Sequence, residues 1–187
     1  MIENIAKAIS EVGKNASKLL PDFAKDVKPE KVKSFEEANK SYSEIKTAKE
    51  IEEKSEFSNE VNENIRSVDE LKIYQEEGLK ETEVNGKKCL IQEKINAEKI
   101  DDFGRTNLER MKQGLSPLNE EGKTIELHHV GQDSDAPLAE LDGETHRGSE
   151  NYSTLHEMQE SKINRNKFNV EKSNHWKARA QEMEANL

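Results

Sequence analysis

Four of the five histidines in this sequence fall between positions 128 and 156: His128, His129, His146 and His156. Neutral imidazole is the commonest metal ligand, and its ordinary pKa lets it take a proton from water near neutrality. His128 and His129 are adjacent, inside Thr124-Ile125-Glu126-Leu127-His128-His129-Val130, whose branched apolar residues favour a strand. Neighbouring strand residues point to opposite faces, so two adjacent rings can hold two different posts. One can bind a cation while the other reaches a water. Hydrolysis of a phosphodiester needs both, a base for the water and a cation for the charge that develops on the phosphate. The same cluster also fits a purely structural zinc site in a binding module, in which removing metal unfolds the domain and the base has no work.

These side chains need a hairpin and a following helix to meet. Residues 132–137 (Gln-Asp-Ser-Asp-Ala-Pro) are turn chemistry, and Leu138-Ala139-Glu140-Leu141 supplies a return strand. Asp133 and Asp135 fit turn formation better than cation binding. His146 then falls near a helix start and His156 just beyond. Upstream, Thr82-Glu83-Val84 and Lys88-Cys89-Leu90-Ile91 flank Asn85-Gly86, a hairpin signal because both residues accept positive φ. Ser67 to Glu70 and Thr106 to Glu109 read as capping boxes, and Gly114 stands where a left-handed helix end is expected. Cys89 reads as buried filler and Trp176 as a packing anchor.

The first third of the chain reads differently. Ile2, Ile5, Ile9 and Val12 mark an amphipathic helix, and Pro21 and Pro29 break the pattern. From Phe35 to about Ile65 a thin stripe (Ala38, Ile45, Ala48, Ile51) predicts one or two exposed helices. The expected division is a charged helical extension over 1–69 and an α+β domain over 70–187. With 32% hydrophobic and 36% charged residues, one large core over the whole length is excluded. A single cysteine excludes an internal disulfide and a multi-cysteine zinc site. No stretch is long and apolar enough for a membrane span, and the start lacks the layout of a secretory leader. If the protein leaves the cell, something other than a classical leader must export it. The net charge of -10 argues against nucleic acid until position is considered. Between 161 and 180, Lys162, Arg165, Lys167, Lys172, Lys177 and Arg179 face only Glu171. Such a stretch guides a phosphate backbone, or is simply a solvated helix face.

The ordered series Gly104-Arg105-Thr106-Asn107-Leu108-Glu109-Arg110-Met111, Gly114-Leu115-Ser116-Pro117 and Gly122-Lys123-Thr124-Ile125-Glu126-Leu127-His128-His129-Val130 resembles the LHH family of the HNH/endonuclease VII nuclease superfamily. The likeness continues through His146 and His156 and reaches back to Glu70, covering roughly residues 70–180. The resemblance implies a small ββα-metal core of treble-clef (His-Me finger) type around one divalent ion, zinc first, with magnesium, manganese and nickel as alternatives. It implies His128 and His146 as metal ligands and His129 as general base. His156 becomes a further ligand or a phosphate contact. Arg105, Arg110, Lys162 and Arg165 become substrate contacts, although Arg105 and Arg110 fit pairing with nearby acids equally well. The Asn that orients the base in the family has either Asn151 or a backbone carbonyl as counterpart. The implied function is a DNA endonuclease, with an RNase as alternative. The resemblance further implies the toxin of a bacterial toxin–immunity pair, bound by a cognate immunity protein, delivered by a specialised secretion system and acting in the target cell cytoplasm.

Overall fold

A computed structural model describes residues 29–156 and 163–186. The helix expected over 2–12, and Lys162, lie outside the described residues. The chain divides into two units, Met1–Lys49 and Glu50–Leu187. In the first, the described residues are all helical, within α1 (Pro29–Lys54). Pro29 is its first residue, where a missing N–H costs nothing. Ile45 of the thin stripe stays half exposed.

The second unit begins inside the last turns of α1 and continues with α2 (Asn59–Asn62), α3 (Val68–Glu76), β1 (Lys80–Val84) and β2 (Lys87–Ile91). Then come α4 (Asn107–Lys112), β3 (Ile125–His129), β4 (Leu138–Asp142), α5 (Gly143–Arg147), α6 (Tyr152–Leu155) and α7 (Arg165–Ala185). Ile51, Val61 and Ile65 are buried in its core. Residues 50–69, assigned from sequence to the extension, therefore pack with the α+β unit. Their sparse apolar residues gave too weak a pattern to announce it.

The architecture is α+β, with a four-stranded sheet in the order β1-β2-β4-β3. β1 and β2 form the Asn85-Gly86 hairpin, with both turn residues at positive φ. β2 runs parallel to β4, and β3 pairs antiparallel with β4 as the edge strand. Alternation splits the apolar side chains between two faces. Leu90, Ala139 and Leu141 pack with Leu71, Tyr74 and Leu155 from α3 and α6. Cys89, Ile91, Ile125, Leu127 and Leu138 pack with Met111 of α4 and with Trp176 and Ala180 of α7.

Helix ends follow local chemistry. Thr106 and Glu109 complete both halves of a capping box on α4. Gly114, at φ +77°, ends that helix against Ser173, whose side chain occupies the space any Cβ there would need. At α3, Ser67 caps the Glu70 amide as expected, but the Glu70 carboxylate is used elsewhere. Fully buried, it accepts from the Tyr74 hydroxyl (2.7 Å) and from the amides of Arg66 and Gly131 (2.9 Å each). It thereby pins the turn that follows His129. Gly131 sits at φ +62° with the Asn64 carbonyl 2.1 Å from where a Cβ would stand, so only glycine fits.

Candidate active and metal site

The two neighbouring histidines end β3 on opposite faces of the sheet. His128 lies opposite Ala139 and His129 opposite Leu138, so each inherits its partner's face. His128 thus looks toward α5 and α6, and His129 toward α7. His146 comes from α5, directly after the hairpin, and His156 from the residue that ends α6.

His128, His146 and His156 converge, each pair of ring centroids lying 4.9–5.3 Å apart. One nitrogen from each lies within 4.8 Å of the other two. Hydrogen bonding fixes which nitrogens are left over. His146 Nδ1 is 2.7 Å from a Glu126 carboxylate oxygen, which also accepts from Arg147 Nε at 2.8 Å. Nδ1 therefore carries the proton and Nε2 the lone pair. His156 Nδ1 faces the Tyr152 carbonyl at 3.3 Å, with the Tyr152 ring stacked on it, which again leaves Nε2 open. The Nε2 of His146 meets His128 Nδ1 at 3.2 Å. The other nitrogen of His128, Nε2, is buried with no hydrogen-bond partner.

This donor set fits a divalent ion. Two lone pairs 3.2 Å apart repel unless a proton or cation lies between them. The spacing is close to the edge of a tetrahedron with metal–nitrogen bonds of about 2.0–2.1 Å, roughly 3.3 Å. Burial pushes the His128 imidazole well below the ordinary histidine pKa, and the rings of His146, His156 and His129 push the same way. Burial also lowers His146, against the Glu126 carboxylate, and His156, with help from His146. All three are thereby kept in the neutral form that ligates. Glu126 is the carboxylate behind a ligating histidine, an arrangement that fixes tautomer and ring orientation. Sequence reading passed it over. Its position two residues before His128 on one strand puts both on one face, and that is the signal that finds it.

His129 stands apart from the triad. Its Nε2 is 2.9 Å from Glu171 of α7, and the other oxygen of Glu171 takes a 2.6 Å ion pair from Lys87 of β2. Phe168 packs on the ring at 4.5 Å. Burial lowers the His129 pKa, and Glu171 raises it in partial opposition. The bond that orients this ring therefore comes from Glu171. Asn151 starts α6 without capping it and does not line the clefts at His129. Neither Glu171 nor Lys87 was singled out from sequence, because each lies far along the chain from His129.

Two clefts open beside the histidines. The one on the triad side is about 350 Å³ and is lined by all four histidines of the cluster with Arg165, Asn169 and Lys172. The one on the α7 side is about 710 Å³ and is reached past His129 and Phe168. Arg165 is thus placed beside the triad. Arg105 and Arg110 are not. Both guanidiniums are bonded to Asp101, and Arg110 also donates to the Ser116 carbonyl. Burial disfavours the Asp101 charge, but the bonds from Arg105 and Arg110 outweigh it and hold the carboxyl well below the usual range. Here these arginines tie the loop before α4 to that helix, which is the pairing with nearby acids that the sequence offered beside a phosphate contact.

Residues 106–182 match the model of the LHH family, described as a nuclease of the HNH/ENDO VII superfamily with conserved LHH, here Leu127-His128-His129. The match begins at Thr106, so α3 and the β1–β2 hairpin lie outside it. No solved structure matches this chain.

Proposed function

We propose, from the match of residues 106–182 to the LHH family of HNH/ENDO VII nucleases, that the chain is a metal-dependent endonuclease that hydrolyses DNA. The observation that carries the proposal is the convergence of three neutral imidazoles beside a fourth that is held separately by a carboxylate. In this reading the β3–β4 hairpin and α5 form the ββα-metal unit. His128, His146 and His156 hold one divalent ion, zinc being first choice for an all-imidazole set. When bound, the ion supplies Lewis-acid stabilisation of charge on the phosphate and the leaving oxygen.

The chain's own residues do the rest. Glu126 fixes the His146 tautomer. Glu171 holds the Nε2 side of His129, so the proton of a water is taken at Nδ1, which has no hydrogen bond among the described residues. Lys87 holds Glu171 in place. Arg165 and Lys172 neutralise the phosphate in the triad-side cleft, with Lys162 extending the same basic stretch. The family resemblance supports a role as toxin of a bacterial toxin–immunity pair. The N-terminal part then serves delivery through a secretion system, and an immunity protein protects the producer.

The test is plasmid DNA incubated with purified protein and, in turn, zinc, magnesium, manganese or nickel, beside a matched RNA substrate. Nicking that requires a divalent ion and stops in excess chelator, while circular dichroism stays native, is the expected result. Intact plasmid under every metal, or unfolding on chelation with no nuclease activity in any arm, would overturn it. The latter outcome is what a structural zinc site gives.

A further inference from the structure

The two clefts that meet at His129 differ in charge as the two halves of a nucleotide do. The triad-side cleft carries Arg165 and Lys172 and has no carboxylate lining it among the described residues. The α7-side cleft holds Glu171, but that carboxylate is already shared between Lys87 and His129. What remains there is close to neutral, since exposed Lys167 is offset by exposed Asp135. Three asparagines, Asn85, Asn164 and Asn174, stand round it, with apolar wall from Val84, Leu138 and Val170, the last 62% exposed. The side-chain amides of Asn85 and Asn174 have no hydrogen-bond partner among the described residues, and Asn164 uses only its oxygen, to cap α7.

We propose that the α7-side cleft is a nucleoside subsite, which takes the unpaired base and sugar on one side of the phosphate that the histidine cluster attacks. The inference rests on the nuclease reading above. A phosphate is anionic and suits the cationic cleft, whereas a nucleoside is uncharged, has an apolar face and presents donors and acceptors along its edge. Amide side chains offer both a donor and an acceptor and match a base edge in pairs. The cleft volume, about 710 Å³, lies in the range of sites that enclose small organic ligands. Phe168 is not the platform for the base, because His129 packs on it and Lys172 lies over its ring at 5.2 Å. It is the partition between the two clefts. Three residues of the subsite, Val84, Asn85 and Lys87, come from the β1–β2 hairpin, outside the segment that matches the family. Selectivity for a base beside the cut is therefore a property this chain adds to a shared core.

The test separates binding from cutting. A short single-stranded DNA with 5-iododeoxyuridine at one position is irradiated with the full-length protein in excess chelator, and crosslinked peptides are mapped. A matching 5-iodouridine RNA distinguishes deoxyribose from ribose. The expected crosslinks fall on the β1–β2 hairpin or the Asn164–Asn174 face of α7. In Asn174→Ala combined with Asn85→Gly, which keeps the left-handed turn, their yield drops roughly tenfold. Crosslinks that fall elsewhere, are absent, or are unchanged in the double variant overturn the subsite. A strand that crosslinks here while metal-loaded protein leaves plasmid whole keeps the subsite and defeats the nuclease reading. Cut plasmid with crosslinks elsewhere does the reverse.

Discussion

The β3–β4 ladder carries a histidine–carboxylate pair on each face, and the two pairs have opposite fates. On the α7 face, Glu140 is fully buried and accepts from His175 Nε2 (2.7 Å), Arg179 Nε (2.9 Å) and the Gln92 amide (2.9 Å). The remaining nitrogen of His175 meets the Cys89 sulfur at 3.8 Å. Burial pushes that thiol up to about 12, so it is no nucleophile at neutral pH. On the other face, Glu126 and His146 form a pair of the same length, but lone pairs are left over on three rings. A buried polar network in which every atom is matched acts as a fastener. One with surplus lone pairs beside a cleft has capacity for a ligand. Histidine count does not separate the two; the accounting of each nitrogen does.

The contrast breaks most sharply at His129. His129→Ala is expected to lower the rate of plasmid cutting by about 10²–10⁴-fold, as loss of a general base does. Metal stoichiometry by atomic absorption should stay unchanged. Near-normal turnover would remove His129 from the chemistry. The next largest effect belongs to the sealed face. Arg179→Met strands the Glu140 charge and should cost about 3–5 kcal/mol in urea unfolding, with the folded fraction retaining its specific activity. A loss below about 1 kcal/mol would show that this network is solvated rather than sealed. The smallest effect tests whether the open pair serves a metal. Glu126→Gln should weaken metal affinity by roughly 10–100-fold in competition titration, with little change in melting temperature for the metal-free protein. Unchanged affinity would reduce Glu126 to an Arg147 partner.

What sequence made legible was local. Asn85-Gly86, the Thr106–Glu109 box and the Asp133 turn each encode their conformation within a few residues, and each forms. Asp133 Oδ1 accepts from the Asp135 amide. The Leu-His-His run announced both the strand and the family match. Trp176 and Cys89 are buried as expected. What escaped was non-local. Glu171 and Lys87 are 84 residues apart, and Glu70 reaches Gly131 across 61. No periodicity encodes such meetings. Arg105 and Arg110 were legible as partners of a nearby acid, and Asp101, four and nine residues away, is that acid.

Because β3 meets β4 in a fixed register, the eight residues from 130 to 137 work as a ruler. The Val130 amide closes on the Pro137 carbonyl at 2.9 Å, and His129 falls opposite Leu138 as a result. Slippage by one residue would turn each ring to the far side of the sheet and exchange the surroundings of His128 and His129. Drift in that connector is therefore tolerable at its exposed positions, but not at Gly131, where no Cβ fits, and not in its length, because an insertion or deletion would shift the register even where every histidine survives.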